Sequence, residues 1–257
     1  PEDVLSHVTN SKSLYVLNAP KISNRSKQIQ FMMLEIFGDQ SLTLGEQFTA
    51  AHITLEKFKK HETPLELPQL TSLSTNIKES CMQLRDALDP AQAAFFQFKT
   101  FNLVFFTEHT KWRENFKALI EKAKAGIPYQ SNDGALAVGT YLAAKRDIFL
   151  PYDNDNRYLL SNFIKNELLG TLEIFIPGNP NAGDQLNEIA ARVSAIRFLL
   201  ICLSAHDYDG FGKQAYIDCI SMVCRSIQHN HDVVAGISNY FSQKDSDLRV
   251  VNALLMS

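Results

Sequence analysis

Residues 184–206 read DQLNEIAARVSAIRFLLICLSAH. Leu186, Ile189, Val193, Ile196, Leu199, Leu200 and Leu203 recur at steps of three and four, the spacing that lines up one face of a helix against a core. Neither glycine nor proline interrupts the run, and Asp184 stands where an N-cap would satisfy the first free N–H groups. The polar AHDYDG at 205–210 then ends the helix. A run of this length with this period sets the fold class: all-α.

The same period extends in both directions. Residues 24–37 place Ile29, Met32, Met33, Ile36 and Phe37 on one face, with Gly38 as a stop signal after them. Thr43 and Glu46 make a capping box before a helix carrying Leu44, Phe48, Leu55 and Phe58. Pro64 and Pro68 mark a loop, a third helix runs to Leu88, and Asp89-Pro90 opens a fourth. That fourth segment, AQAAFFQFKTFNLVFF, is the most hydrophobic stretch and is expected to be the central helix. KWRENFKALIEKAKAG ends at Gly126 and Pro128, and residues 133–148 and 156–173 read as two more helices. Aromatic and β-branched residues at 101–107 would suit a strand, but no turn chemistry supplies a partner. IFIPGNPNAGD is a loop by its prolines and glycines, and 176–184 is a soft boundary in what otherwise reads as one domain, 1–257, of about ten helices. The opening PEDVLSHV lacks a start methionine and reads as an excised piece of a longer protein.

Composition narrows the function classes. The chain has 257 residues, 45% hydrophobic and 21% charged, with a formal net charge of −3. A chain this long buries roughly three-quarters of its unfolded surface. Its lysines and arginines are dispersed, unlike the footprint of a nucleic-acid binder. No apolar run approaches the ~20 residues of a membrane span. Cys81, Cys202, Cys219 and Cys224 fit neither a zinc knuckle nor a disulfide framework, so they read as buried hydrophobes of a reducing, cytoplasmic compartment.

Five constellations bear on chemistry. His206-Asp207, with Asp209, resembles the metal-binding step of the HD phosphohydrolases, and LLICLSAHDYDG is similar to a helix of cyclic-nucleotide phosphodiesterases. The resemblance implies a divalent metal that activates water. A metal needs a further histidine and carboxylate, and the nearest upstream histidine, His109, is several helices away. The competing reading is the polar end of a helix. Cys219 to Arg225 has the spacing of a phosphatase nucleophile and its arginine, but the intervening ISMVC contains no glycine and reads as mid-helix. DNDN at 153–156 has carboxylates at calcium-loop spacing and reads as a helix N-cap. The two histidines of QHNHD at 228–232 point to different helix faces. Arg113 follows the single tryptophan near a helix start, where it reads as a salt-bridging residue or a contact to a partner. No G-x-G-x-x-G, P-loop or G-x-S-x-G is present.

Three stretches, GEQFTAAHITLEKFKK, NRYLLSNFIKNELL and RVSAIRFLLICLSAHDYDGF, resemble in order parts of the catalytic domain of Ras-type guanine-nucleotide exchange factors. Phe163 stands where that family has tryptophan. The resemblance implies a protein partner, a small GTPase, regulated either by nucleotide exchange or by GTPase activation. For the second role Arg113 and Arg146 are the arginine-finger candidates. The asparagine-, lysine-, phenylalanine- and isoleucine-rich composition suggests an AT-rich bacterial or protist genome. A module from such a source is expected to be a secreted bacterial effector that acts on a GTPase in the host cytosol without a cofactor. The alternatives are a phosphohydrolase with a divalent metal on His206, Asp207 and Asp209, and a non-catalytic scaffold.

Overall fold

The computed structural model describes residues 23–61, 63–85, 89–106, 114–128 and 134–227, together with Leu255. Among these residues the secondary structure is entirely helical. The segments are α1 (Asn24–Ile36), α2 (Leu44–Lys59), α3 (Leu67–Arg85), α4 (Pro90–Phe106), α5 (Glu114–Gly126), α6 (Gly134–Ala144), a π-helical turn (Lys145–Phe149), α7 (Leu150–Asn156), α8 (Tyr158–Gly170), a 3-10 turn (Leu172–Phe175), α9 (Ala182–His206) and α10 (Lys213–Ile227).

The centre is α9, not the more aromatic α4. Contacts reach α9 from α2, α4, α5, α6, α8, α10 and both short turns. From Val193 to Ser204 every residue of α9 is buried, Arg197 included. A helix buried on every side has to be apolar all round. The helix is also long and apolar enough to cross a membrane, yet 83% of its most apolar window lies inside the protein, where neighbouring helices cover it. α4 keeps a wet side: Phe95 is exposed while Phe98, Phe101, Phe105 and Phe106 point inward. Residues 101–106 continue that helix, so the aromatic run forms no strand.

Local signals act as expected at the N-terminal end. Ser23 caps α1, its Oγ accepting the Ser26 N–H at 3.1 Å. In the α2 capping box the Thr43 N–H donates to Glu46 Oε2 at 2.6 Å, and Thr43 Oγ1 accepts the Glu46 N–H at 3.3 Å. The predicted inward face of α1 is buried, from Ile29 to Phe37. The α1–α2 connection is then tied to α8. Arg157 donates to the carbonyls of Gln40 and Leu42, both at 2.7 Å, and Ser161 Oγ to that of Phe37 at 2.5 Å.

Three local readings change. Gly126 does more than stop α5: a Cβ there would lie 2.3 Å from the Cys202 carbonyl oxygen and 2.7 Å from the His206 nitrogen. It is glycine because the backbones of α5 and α9 meet at that point. Gly126→Ala is expected to cost about 1–3 kcal/mol by overpacking, read as a lowered urea midpoint with an unchanged m value. The run from 134 to 156 is one helical path with a π turn directly ahead of Pro151, whose ring clashes with the i−4 carbonyl in a regular helix. Finally, Asn181 rather than Asp184 occupies the cap of α9, with Asp184 in its first turn, where its charge favours the helix dipole.

Candidate functional site

α9 stops because Asp207 leaves helical geometry, at φ −130° and ψ 78°. Its N–H still reaches the Leu203 carbonyl at 3.0 Å, while its Oδ1 accepts the Gly210 N–H at 2.9 Å. The side chain thereby closes the turn with a local hydrogen bond. Gly210 fits there since any Cβ would sit 2.4 Å from the Asp207 carboxylate. Lys213 then starts α10, which folds back along α9 and α5.

This corner encloses a cleft of about 290 Å³ between α5, the turn and α10. Leu119, Leu203, Phe211 and Met222 give it apolar walls. Asp207, Asp218 and His206 supply polar groups from the turn, α10 and α9, and Lys122 of α5 lines it too. Asp218 Oδ1 accepts from Gln214 at 2.8 Å. Phe211 is set edge-on against Tyr152, with ring centres 5.4 Å apart.

His206, Asp207 and Asp209 are all exposed at this turn. Among the described residues no group of three or more histidine, cysteine, aspartate or glutamate side chains is placed to hold a metal. His109, Arg113 and the histidines of QHNHD lie outside the described residues. Cys219 is mid-helix in α10 and buried, and burial pushes its thiol well above the ordinary range. Burial likewise raises Cys81 and Cys224, each to about 11, so all three favour the unreactive thiol.

A second polar cluster went unread in the sequence. DNDN caps nothing: it ends α7, and Asp153 is buried in the core. Arg197 donates to Asp153 Oδ2 at 2.9 Å and the Tyr216 hydroxyl to Oδ1 at 2.5 Å. The Arg197 guanidinium also lies 5.0 Å above the Phe149 ring. Burial first, and then the like charge of Arg197, bring Lys145 down to about 8. The partners come from α7, α9, α10 and the π turn, and this network bolts them together. The only sequence trace was Arg197 itself, a charge inside an apolar helix. A larger cleft of about 550 Å³ lies between α1, α3 and α8, where Asp39 and Lys78 pair with each other at 2.5 Å.

Fold and site thus describe an all-α domain with a surface cleft that joins apolar walls to carboxylates. The family model described as the FliB lysine N-methylase C-terminal domain matches residues 30–254, and the chain belongs to that family. No curated protein and no solved structure matches the chain significantly.

This corrects the functional expectation. The chain is not an exchange-factor domain, and its family is not one of small-GTPase regulators or bacterial effectors acting on them. The three resembling stretches are the core-facing helices α2, α8 and α9, whose apolar spacing any helical domain shares. Arg146, proposed as an arginine finger, is exposed and held bidentate by its neighbour Asp147 at 2.6 and 2.8 Å.

Proposed function

We propose that this chain serves lysine N-methylation, as the helical C-terminal domain of a methylase. The family match over residues 30–254 carries the reading. The reaction asks for a lysine side chain drawn out of solvent. A lysine ammonium, with an ordinary pKa near ~10.4, must first lose a proton. The neutral nitrogen then attacks an activated methyl carbon, the carbon–donor bond breaks, and the donor leaves with the electron pair. A second proton is released from the product nitrogen unless it stays as an ammonium. A methylase of this kind needs a surface that receives a flexible cationic side chain.

The test uses the whole protein that carries this chain. It is incubated with methyl-labelled S-adenosylmethionine and an extract of its own cell from which the native protein has been deleted. Label recovered as methyl-lysine after hydrolysis is the expected result. Label confined to other residues, or none above a heat-killed control, overturns the proposal.

A further inference from the structure

We propose that the cleft between α5, the Asp207–Gly212 turn and α10 takes the side chain of the target lysine; this rests on the methylation reading above. Two observations point to the same ligand. One is the family, whose name specifies lysine. The other is the lining of the cleft.

A lysine is a four-carbon apolar stem with a compact, strongly hydrated charge at its end. Such a side chain binds where its stem meets apolar surface and its head meets acceptors. The cleft of about 290 Å³ has room for both parts. Leu119, Leu203 and Met222 flank the stem, and Phe211 offers a ring to the cationic head. Such a ring also suits the methylated product, whose head has fewer N–H donors and more apolar surface. Asp207 and Asp218 supply the counter-charge. Each accepts one hydrogen bond at Oδ1, from Gly210 and Gln214 respectively, which leaves each carboxylate further acceptor capacity for an ammonium. Lys122 also lines the cleft, so the two aspartates and this lysine together carry a net charge of one negative. Lys122 therefore weakens the site and makes a handle for testing it.

The probe is Nα-acetyl-lysine methylamide, titrated into the whole chain and followed by the Met222 methyl resonance. Nα-acetyl-norleucine methylamide, with the stem but without the ammonium, is the control. The expected result is saturable binding of the lysine probe, about tenfold tighter than norleucine, a difference of about 1.4 kcal/mol. Asp207→Asn combined with Asp218→Asn should abolish that preference. The amide of Asp207→Asn keeps an acceptor for the Gly210 N–H, so the turn is preserved, and an unchanged thermal midpoint verifies it. Lys122→Met should tighten lysine binding severalfold. Equal binding of the two probes, no change at Met222, or an unaffected double variant overturns the proposal. The two readings fail separately. Methyl transfer to lysine with an unchanged KM in the double variant sinks the cleft alone. Lysine-selective binding without any methyl transfer sinks the methylation reading and leaves the cleft a lysine-binding site.

Discussion

Arg197→Met is expected to destabilise the domain by about 3–5 kcal/mol, the cost of leaving one member of a buried ion pair without its partner. Asp153 and Arg197 are both at least nine-tenths buried, and their contact is a direct 2.9 Å hydrogen bond. Removing the guanidinium leaves a carboxylate with Tyr216 as its remaining donor at 2.5 Å, and takes the cation from above Phe149. The like charge beside Lys145 disappears too, so the pKa of that lysine should rise from about 8. Urea unfolding measures the loss. The informative companion is the triple variant Asp153→Leu, Arg197→Met, Tyr216→Phe, which removes charge and hydrogen-bonding groups together. Buried ion pairs replaced as a unit by apolar groups often cost nothing. The triple variant should therefore regain most of the single variant's loss. If it is no more stable than Arg197→Met alone, the network has a role beyond satisfying its own buried charges.

Features carried by neighbours in sequence were legible; features that depend on distant segments were not. The capping box at Thr43 and Glu46 spans three residues, and the stripe of α1 recurs every turn, so both could be read directly. Asp153 and Arg197 are 44 residues apart, and nothing near DNDN says that its first aspartate faces inward. Gly126 looked like a stop because the sequence shows only its position beside Pro128; its real constraint is the α9 backbone, 2.3 Å from where a Cβ would lie. Hydrophobicity alone favoured α4 as the centre, but a central helix is defined by how many sides are covered, which composition does not record. The site was half legible. AHDYDG reads as a helix end, and Asp207 and Gly210 do form that turn. Lys122 and Asp218, which complete the cleft, come from two other helices. The exchange-factor resemblance failed for a related reason: it drew on buried helix positions, which report packing rather than chemistry.

Phe198→Ala should be the most damaging single truncation in the core, at about 3–5 kcal/mol. The Phe198 ring is fully buried midway along α9. Its centre lies 5.6 Å from those of Phe101 and Phe106, 5.7 Å from Tyr141 and 6.2 Å from Phe98 and Phe105. These five rings come from α4 and α6, so one side chain on α9 joins three helices. Offset and tilted aromatic pairs add about 0.5–1.5 kcal/mol each beyond the area they bury. The site also has little freedom to collapse. The Tyr141 hydroxyl is anchored to Gln97 Oε1 by a buried hydrogen bond, and Phe105 is held edge-on by Phe116 of α5. An unrelaxed cavity adds its own cost to the lost transfer energy. For a domain of this size the loss corresponds to a fall in Tm of roughly 10 °C. Phe198→Leu, which keeps most of the volume, should lose well under half as much. Calorimetry on the two variants checks the claim. Equal losses from leucine and alanine would show that ring geometry, rather than filled volume, holds α4 and α6 to α9.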